Sequence, residues 1–290
     1  MKVLSKRLDK IFAGLVLVLV LVVGCVVGFS GCRGPSEELT IAALKKKGEL
    51  VVLTEPNFRP YEYYDDSMTK IIGVDLEIAG LIAERLGVSL RVVPWEFDGL
   101  FTALNSHKGD VIMAARSLTG ENQGYFPHSK PYADACQKIL LPKDCDDIKE
   151  FRDLAGKKVG VPLGTTSENC VREAVDFGSL KDTKTKVLSY VTNSMVVHNL
   201  RNKYVDAALL DFRAAENYAR ENSDTLKVLP ERFGKEKYVF FYARGTSQEV
   251  VDFVDNIITE IRADGRLSEF YAKHEVKTDK TGESIKDGHE

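Results

Sequence analysis

The 290-residue chain carries 44% hydrophobic and 29% charged side chains, the balance of an ordinary soluble globular protein with enough length for one large or two ordinary domains. Unusual composition is concentrated in the first 32 residues, where Lys2, Lys6, Arg7 and Lys10 precede an apolar run from Ile11 to Phe29 broken only by glycines and Cys25. Without residues 1–32 the chain has 36 basic and 42 acidic side chains, so its net charge moves from −3 to −6. That argues against a nucleic-acid binder that tracks phosphates, which needs a basic face.

The basic start and apolar run read as an export signal or membrane anchor over residues 1–32. Phe29-Ser30-Gly31-Cys32 resembles a bacterial lipobox, in which the cysteine is lipidated. Val22-Val23-Gly24-Cys25 also fits, but would leave an apolar stretch after the modified residue, so Cys32 is preferred. An uncleaved helix is the alternative, since about 20 apolar residues span a bilayer. Either way the protein is tethered outside the cytoplasm, and residues 33–39 serve as a polar tether.

In chain order, Ile41 to Lys47 predicts a short helix and Leu50 to Leu53 a strand. Val74 to Leu86 has helical spacing ended by Gly87, Ser89 to Val93 reads as a strand, Gly99 to Leu104 as a helix and Val111 to Met113 as a strand. The alternation then repeats: strands at Lys158–Val161, Lys186–Val191 and Ala207–Leu210, helices at Thr166–Val175, Met195–Asn202 and Arg213–Arg220. A late strand, Tyr238 to Tyr242, and a late amphipathic helix, Ser247 to Ile261, follow. Two such runs predict two α/β lobes, each with a mainly parallel sheet flanked by helices. Lys277 to Glu290 lacks periodicity and reads as a disordered tail.

Three further cysteines, Cys136, Cys145 and Cys170, leave at least one without an intrachain partner. No Cys/His spacing suggests a metal site, and no phosphate-binding glycine fingerprint, nucleophile elbow or P-loop is present. Gly164-Thr165-Thr166-Ser167-Glu168 suits a capped helix start, with Thr165 and Glu168 as a capping box and free N–H groups that attract an anion. Asp211 follows an apolar strand directly and suits either a helix cap or a ligand's ammonium group.

Gly73-Val74-Asp75-Leu76-Glu77-Ile78-Ala79, Trp95-Glu96-Phe97-Asp98-Gly99-Leu100, Asp110-Val111-Ile112-Met113 and Ser129-Lys130-Pro131-Tyr132 occur in an order that resembles one family. It is the extracellular solute-binding proteins that serve polar amino-acid transporters. The resemblance covers most of residues 45–275. It implies a two-lobed fold of the type 2 periplasmic binding proteins, joined by two hinge crossovers near Cys136–Leu141 and Phe233–Phe241. Residues 40–137 would form lobe 1, 138–236 lobe 2, and 237–276 the return to lobe 1. It further implies a monomer without cofactor that captures an amino acid or related amine by hinge closure, docks on an ABC permease, and is held to the membrane by its N-terminal lipid.

Carried over residue by residue, the resemblance gives Asp211 to the ligand ammonium, and Thr166, Thr165 and Ser117 to its carboxylate. Phe58, Tyr61 and Phe97 form aromatic walls, Ala115 stands where some members carry a small hydroxyl residue, and Glu55 faces the cleft mouth. One departure stands out. Members that bind α-amino acids carry an arginine that grips the carboxylate, whereas Thr119-Gly120-Glu121-Asn122 places Asn122 there. Asparagine makes no charged bidentate pair, and hydrogen bonds to charged groups contribute about 1.5–3 kcal/mol each. Two explanations stand: Arg116 supplies the missing charge, or the ligand lacks a free α-carboxylate. A dehydratase on the same scaffold, with Glu55 or Glu62 as its acid or base, and a ligand-sensing module are the alternative functions.

Overall fold

A computed structural model describes residues 38–275. Cys25, Cys32, the N-terminal anchor and the polar tail from Lys277 lie outside the described residues. Thr40 caps helix α1 (Ile41–Lys47), its hydroxyl accepting from the Ala43 N–H at 3.0 Å, and Gly48 ends the helix in the left-handed conformation. Strand β1 (Glu49–Thr54) follows at once. Its apolar run is buried because it lies between two parallel neighbours, β5 (Ser89–Pro94) and β6 (Val111–Ser117).

The loop after β1 folds into a small antiparallel sheet, β2 (Asn57–Phe58), β3 (Glu62–Tyr64) and β4 (Ile71–Ile72). Helix α2 (Val74–Leu86) begins at Gly73, whose φ is +138°. A Cβ there would lie 2.0 Å from the Tyr61 carbonyl oxygen, so only glycine lets the helix start this close to the aromatic loop. Asp75 and Glu77 occupy its positive end. Asp75 is buried and accepts the Ala115 N–H at 3.0 Å, tying the helix start to the end of β6. Between β5 and β6 lie a 3₁₀ turn (Phe97–Gly99) and α3 (Leu100–Asn105).

The second half of the chain supplies β8 (Lys158–Pro162), α4 (Thr166–Asp176), β9 (Lys186–Tyr190), α5 (Asn193–Arg201), β10 (Ala207–Asp211), α6 (Phe212–Glu221) and β11 (Leu226–Val228). Strands β8, β9 and β10 are mutually parallel where they pair. Two ten-residue strands, β7 (Ala133–Pro142) and β12 (Phe233–Tyr242), join the halves, and α7 (Gln248–Ala263) and α8 (Arg266–His274) close the chain.

The main sheet runs β5-β1-β6-β12-β7-β10-β8-β9, with β11 beside β7. The crossover strands are antiparallel neighbours at its centre. Gln137 is the exchange point: β7 pairs with β12 through Gln137↔Phe233 and with β10 through Gln137↔Asp211. This is the expected two-lobed α/β class. Leu53, Ile112 and Phe241 are fully buried in one apolar cluster, and Ile139, Val159 and Leu209 in another. Each such side chain contributes about 1.5–3 kcal/mol.

The structure extends the sequence reading in several places. β12 begins at Phe233 rather than Tyr238, and β7 is a full strand. The small β2–β3–β4 sheet and helix α8 were not anticipated. Polar residues obscure the crossover strands in the sequence. Lys138 is buried only because it pairs with Glu216 at 2.6 Å, and the early part of β12 carries Gly234, Lys235, Glu236 and Lys237.

Candidate ligand-binding site

The ends of β6, β8 and β10 meet the starts of α4 and α6 around a cavity of about 330 Å³. Ligands in open α/β sheets gather outside strand C-termini for this reason. Four acidic side chains (Glu55, Glu62, Glu121, Asp211) and two guanidiniums (Arg116, Arg244) reach its wall.

Asp211 combines both roles considered for it. One carboxylate oxygen caps α6, accepting the Arg213 N–H at 2.9 Å, and the other accepts the Tyr238 hydroxyl. The residue also lines the cavity. Burial pushes its carboxyl up to about 7, against the pull of Tyr238 and the Arg213 N–H, and Glu236 nearby adds to the rise. Glu55 is likewise raised to about 7 by burial, although Asn57 hydrogen-bonds to it. Glu62 is almost wholly buried, neither oxygen has a hydrogen-bond partner, and burial together with the neighbouring Asp75 holds it well above the usual range.

Phe58, Phe97, Ala115, Arg116, Ser117 and Asn122 all reach the cavity wall, as do Thr165 and Thr166. Tyr61 does not. It is completely buried behind the wall, with ring centres 5.1 Å from Phe58, 5.2 Å from Tyr238 and 5.9 Å from Tyr271. An aromatic in a loop is drawn to the core when several other rings converge on it.

Ala115 has a φ of +41°, and opposite this stretch β6 and β12 slip register between Val239 and Phe241. The bulge breaks the in–out alternation of the strand. Arg116 and Ser117 therefore both face the cavity, which strand parity alone would forbid. The Arg116 guanidinium lies 4.3 Å from the ring centres of both Phe97 and Phe101 and donates to the Phe97 carbonyl at 2.9 Å. Its burial lowers the group to about 10.

Asn122 turns inward. Its side-chain oxygen accepts the Thr119 N–H at 2.8 Å, and its amide nitrogen donates to the Ser117 carbonyl at 2.9 Å. Thr165 caps α4 by accepting from the Glu168 N–H, but the reciprocal half of the expected capping box is displaced. The Glu168 carboxylate takes the Gly164 N–H at 2.8 Å instead of that of Thr165.

The wall residue Gln137 and the nearby Glu236 escaped the sequence reading. Glu236 sits in the irregular first part of β12 and accepts from Ser117, from Thr166 at 2.8 Å and from Gln137 at 2.9 Å. Gln137 also accepts the Ser167 hydroxyl. The signal lay in a charged residue on a strand that returns through the centre of the fold, which local propensity does not reveal.

Cys136, Cys145 and Cys170 are all free thiols. Among the described residues, no group of His, Cys, Asp or Glu is arranged to hold a metal ion.

The model of the bacterial extracellular solute-binding proteins, family 3, matches residues 50–277. The chain belongs to this family. Among its relatives is a probable histidine-binding protein of Campylobacter jejuni, 30% identical over 230 residues, covering 79% of this chain and 85% of that one. The L-cystine-binding protein TcyJ of Escherichia coli K12 is 30% identical over 252 residues, covering 86% and 90%. Of the solved structures, an ancestral arginine-binding protein bound to arginine superimposes with a TM-score of 0.72 at 35% identity, covering 78% of this chain and 98% of that one. AncCDT-1, an ancestral amino acid-binding protein and a precursor of cyclohexadienyl dehydratase, gives 0.73 at 30%, covering 81% and 98%. A solute-binding role, outside the cytoplasm, follows from membership of this family.

Proposed function

We propose that this protein captures an amino acid or a related small amine outside the cytoplasm and delivers it to an ABC permease. The supporting observation is Asp211, a half-buried carboxylate at the C-terminal end of β10 and in the wall of an acid-rich cavity. A carboxylate in that position attracts an ammonium group through charge-assisted hydrogen bonds. The named relatives are a probable histidine-binding protein and an L-cystine-binding protein, and a structural neighbour holds arginine; all three ligands bear an amine.

Binding works by lobe closure about β7 and β12. A ligand touching both lobes favours the closed arrangement by its differential affinity. The lips already approach closely, since Gly164 lies against Asp98 and the Asn217 amide donates to the Arg59 carbonyl at 3.0 Å. The protein acts as a monomer held to the membrane by lipid on Cys32, and it releases its ligand unchanged. The binding proteins among its relatives favour this over a dehydratase.

The test is a thermal-shift panel of amino acids, polyamines and short peptides on protein stripped of bound ligand by unfolding and refolding. Ligand at about 100 times its Kd stabilises by about 2.7 kcal/mol, a rise of roughly 5–10 °C for a domain this size. A shift with amine-bearing members supports the proposal. Silence across the panel, or turnover of the ligand, refutes it.

A further inference from the structure

The hydroxyls expected to grip a ligand carboxylate are engaged by a carboxylate of the protein itself. Ser117 at the end of β6 and Thr166 at the start of α4 both donate to one oxygen of Glu236, the latter at 2.8 Å. Gln137 on the crossover donates to the other oxygen at 2.9 Å. Three donors from three elements thus converge on one side chain, as they would on a ligand.

The third expected grip is also absent. Asn122 replaces the arginine, and its amide is consumed inside its own loop by Thr119 and Ser117. Arg116 donates to the Phe97 carbonyl from between two rings. Arg244 is exposed and lies 5.3 Å from the Phe126 ring. Meanwhile Asp211 and Glu55 remain in the wall, and the Glu62 carboxyl is buried against Asp75. A free α-carboxylate entering here meets occupied hydroxyls and the repulsion of Glu236. An ammonium meets the carboxyl groups of Asp211 and Glu55.

We infer that Glu236 is a built-in surrogate for the ligand carboxylate, and that it sets the specificity of this cavity for organic amines lacking a free α-carboxylate, such as decarboxylated amino acids. The inference rests on the amine-binding reading of the site and narrows it. Glu236 is here a specificity-determining residue, and it excludes one class of ligand by repulsion and by occupying its partners.

The experiment uses matched pairs that differ only by the carboxylate: agmatine with L-arginine, histamine with L-histidine, cadaverine with L-lysine. Each is titrated calorimetrically into the wild-type protein, Glu236→Ala and Glu236→Gln. In the wild type, the amine of at least one pair binds 10-fold or more tighter than its amino acid. Glu236→Ala frees the Ser117 and Thr166 hydroxyls and removes the charge, so the ratio within that pair moves at least 10-fold toward the amino acid. Glu236→Gln removes only the charge and shifts it less. A merely structural Glu236 would weaken both members alike and leave the ratio unmoved. The inference is overturned if the wild type prefers the amino acid in every pair that binds, or if Glu236→Ala leaves the ratio within threefold. Failure of all six compounds to bind any of the three proteins refutes the amine-binding reading, and the inference with it.

Discussion

Replacing Asp211 by asparagine separates its two jobs. The carboxylate caps α6 through the Arg213 N–H and accepts the Tyr238 hydroxyl. Asparagine caps helices about as well as aspartate, and its amide can still meet the tyrosine hydroxyl, so folding stability should change by about 1 kcal/mol or less. Asp211→Ala is different. It loses the cap, about 0.5–2 kcal/mol, and strands the Tyr238 hydroxyl, about 1–3 kcal/mol. Binding responds to the charge. A hydrogen bond to a charged group contributes about 1.5–3 kcal/mol, so Asp211→Asn should weaken an amine about 10- to 150-fold. Urea unfolding reads the stability, and calorimetry with the amine that gives the largest thermal shift reads the affinity. Asp211→Asn protein of unchanged stability that binds within threefold of wild type would falsify the assignment of Asp211 to the ammonium.

Two further outcomes follow from the same geometry. The Asp211 carboxyl, facing Tyr238, Arg213 and Glu236, sits at about 7, well above its ordinary value. An acid held more tightly protonated in the folded state makes the ligand-free protein lose stability as pH rises from about 4 to about 7. An ammonium ligand requires the ionised form, so affinity should fall toward about tenfold per pH unit below about 7, with Glu55 adding to the effect. Proton release at pH 6.5, measured from the difference in observed binding heats between phosphate and MES buffers, checks this, and equal observed heats in the two buffers would sink it. At the lips, a Cβ on Gly164 would stand 2.9 Å from the Asp98 Cβ, at a φ of +72°. Gly164→Ala should therefore hinder closure and weaken ligand binding about 10-fold or more. Small-angle scattering with ligand should show a more open particle than wild type; an unchanged affinity and an unchanged radius of gyration would show that the lips do not meet in the bound state.

The parts of this site that the sequence disclosed share a physical cause. Asp211 and Thr166 stand where a strand ends or a helix begins, and such positions are marked by an apolar run stopping at a capping residue. The helix Val74–Leu86 was legible to the residue for the same reason, with Gly73 before it and Gly87 after it. Arg116 was ambiguous because its direction depends on the positive φ of Ala115, which strand alternation does not announce. Tyr61 was assigned to the wall because a loop aromatic looks the same in sequence whether it faces a cavity or a cluster of other rings. Glu236 stayed hidden because its meaning lies in Ser117 and Thr166, brought to it only by the return of the chain.

That return has a consequence for how the protein comes into being. β6 is complete early in the chain, yet its neighbour on one side is β12, whose Tyr242 pairs with Val111. The first lobe is thus left with an open sheet edge until nearly the whole polypeptide is available, whereas the strands β8, β9 and β10 of the second lobe come from one continuous stretch within it. Pairings this distant in sequence form slowly. A chain emerging from its N-terminus first should therefore mature from the inside of its sequence outward. The exposed β6 edge would be its point of greatest vulnerability to aggregation, shielded only when the last strand arrives.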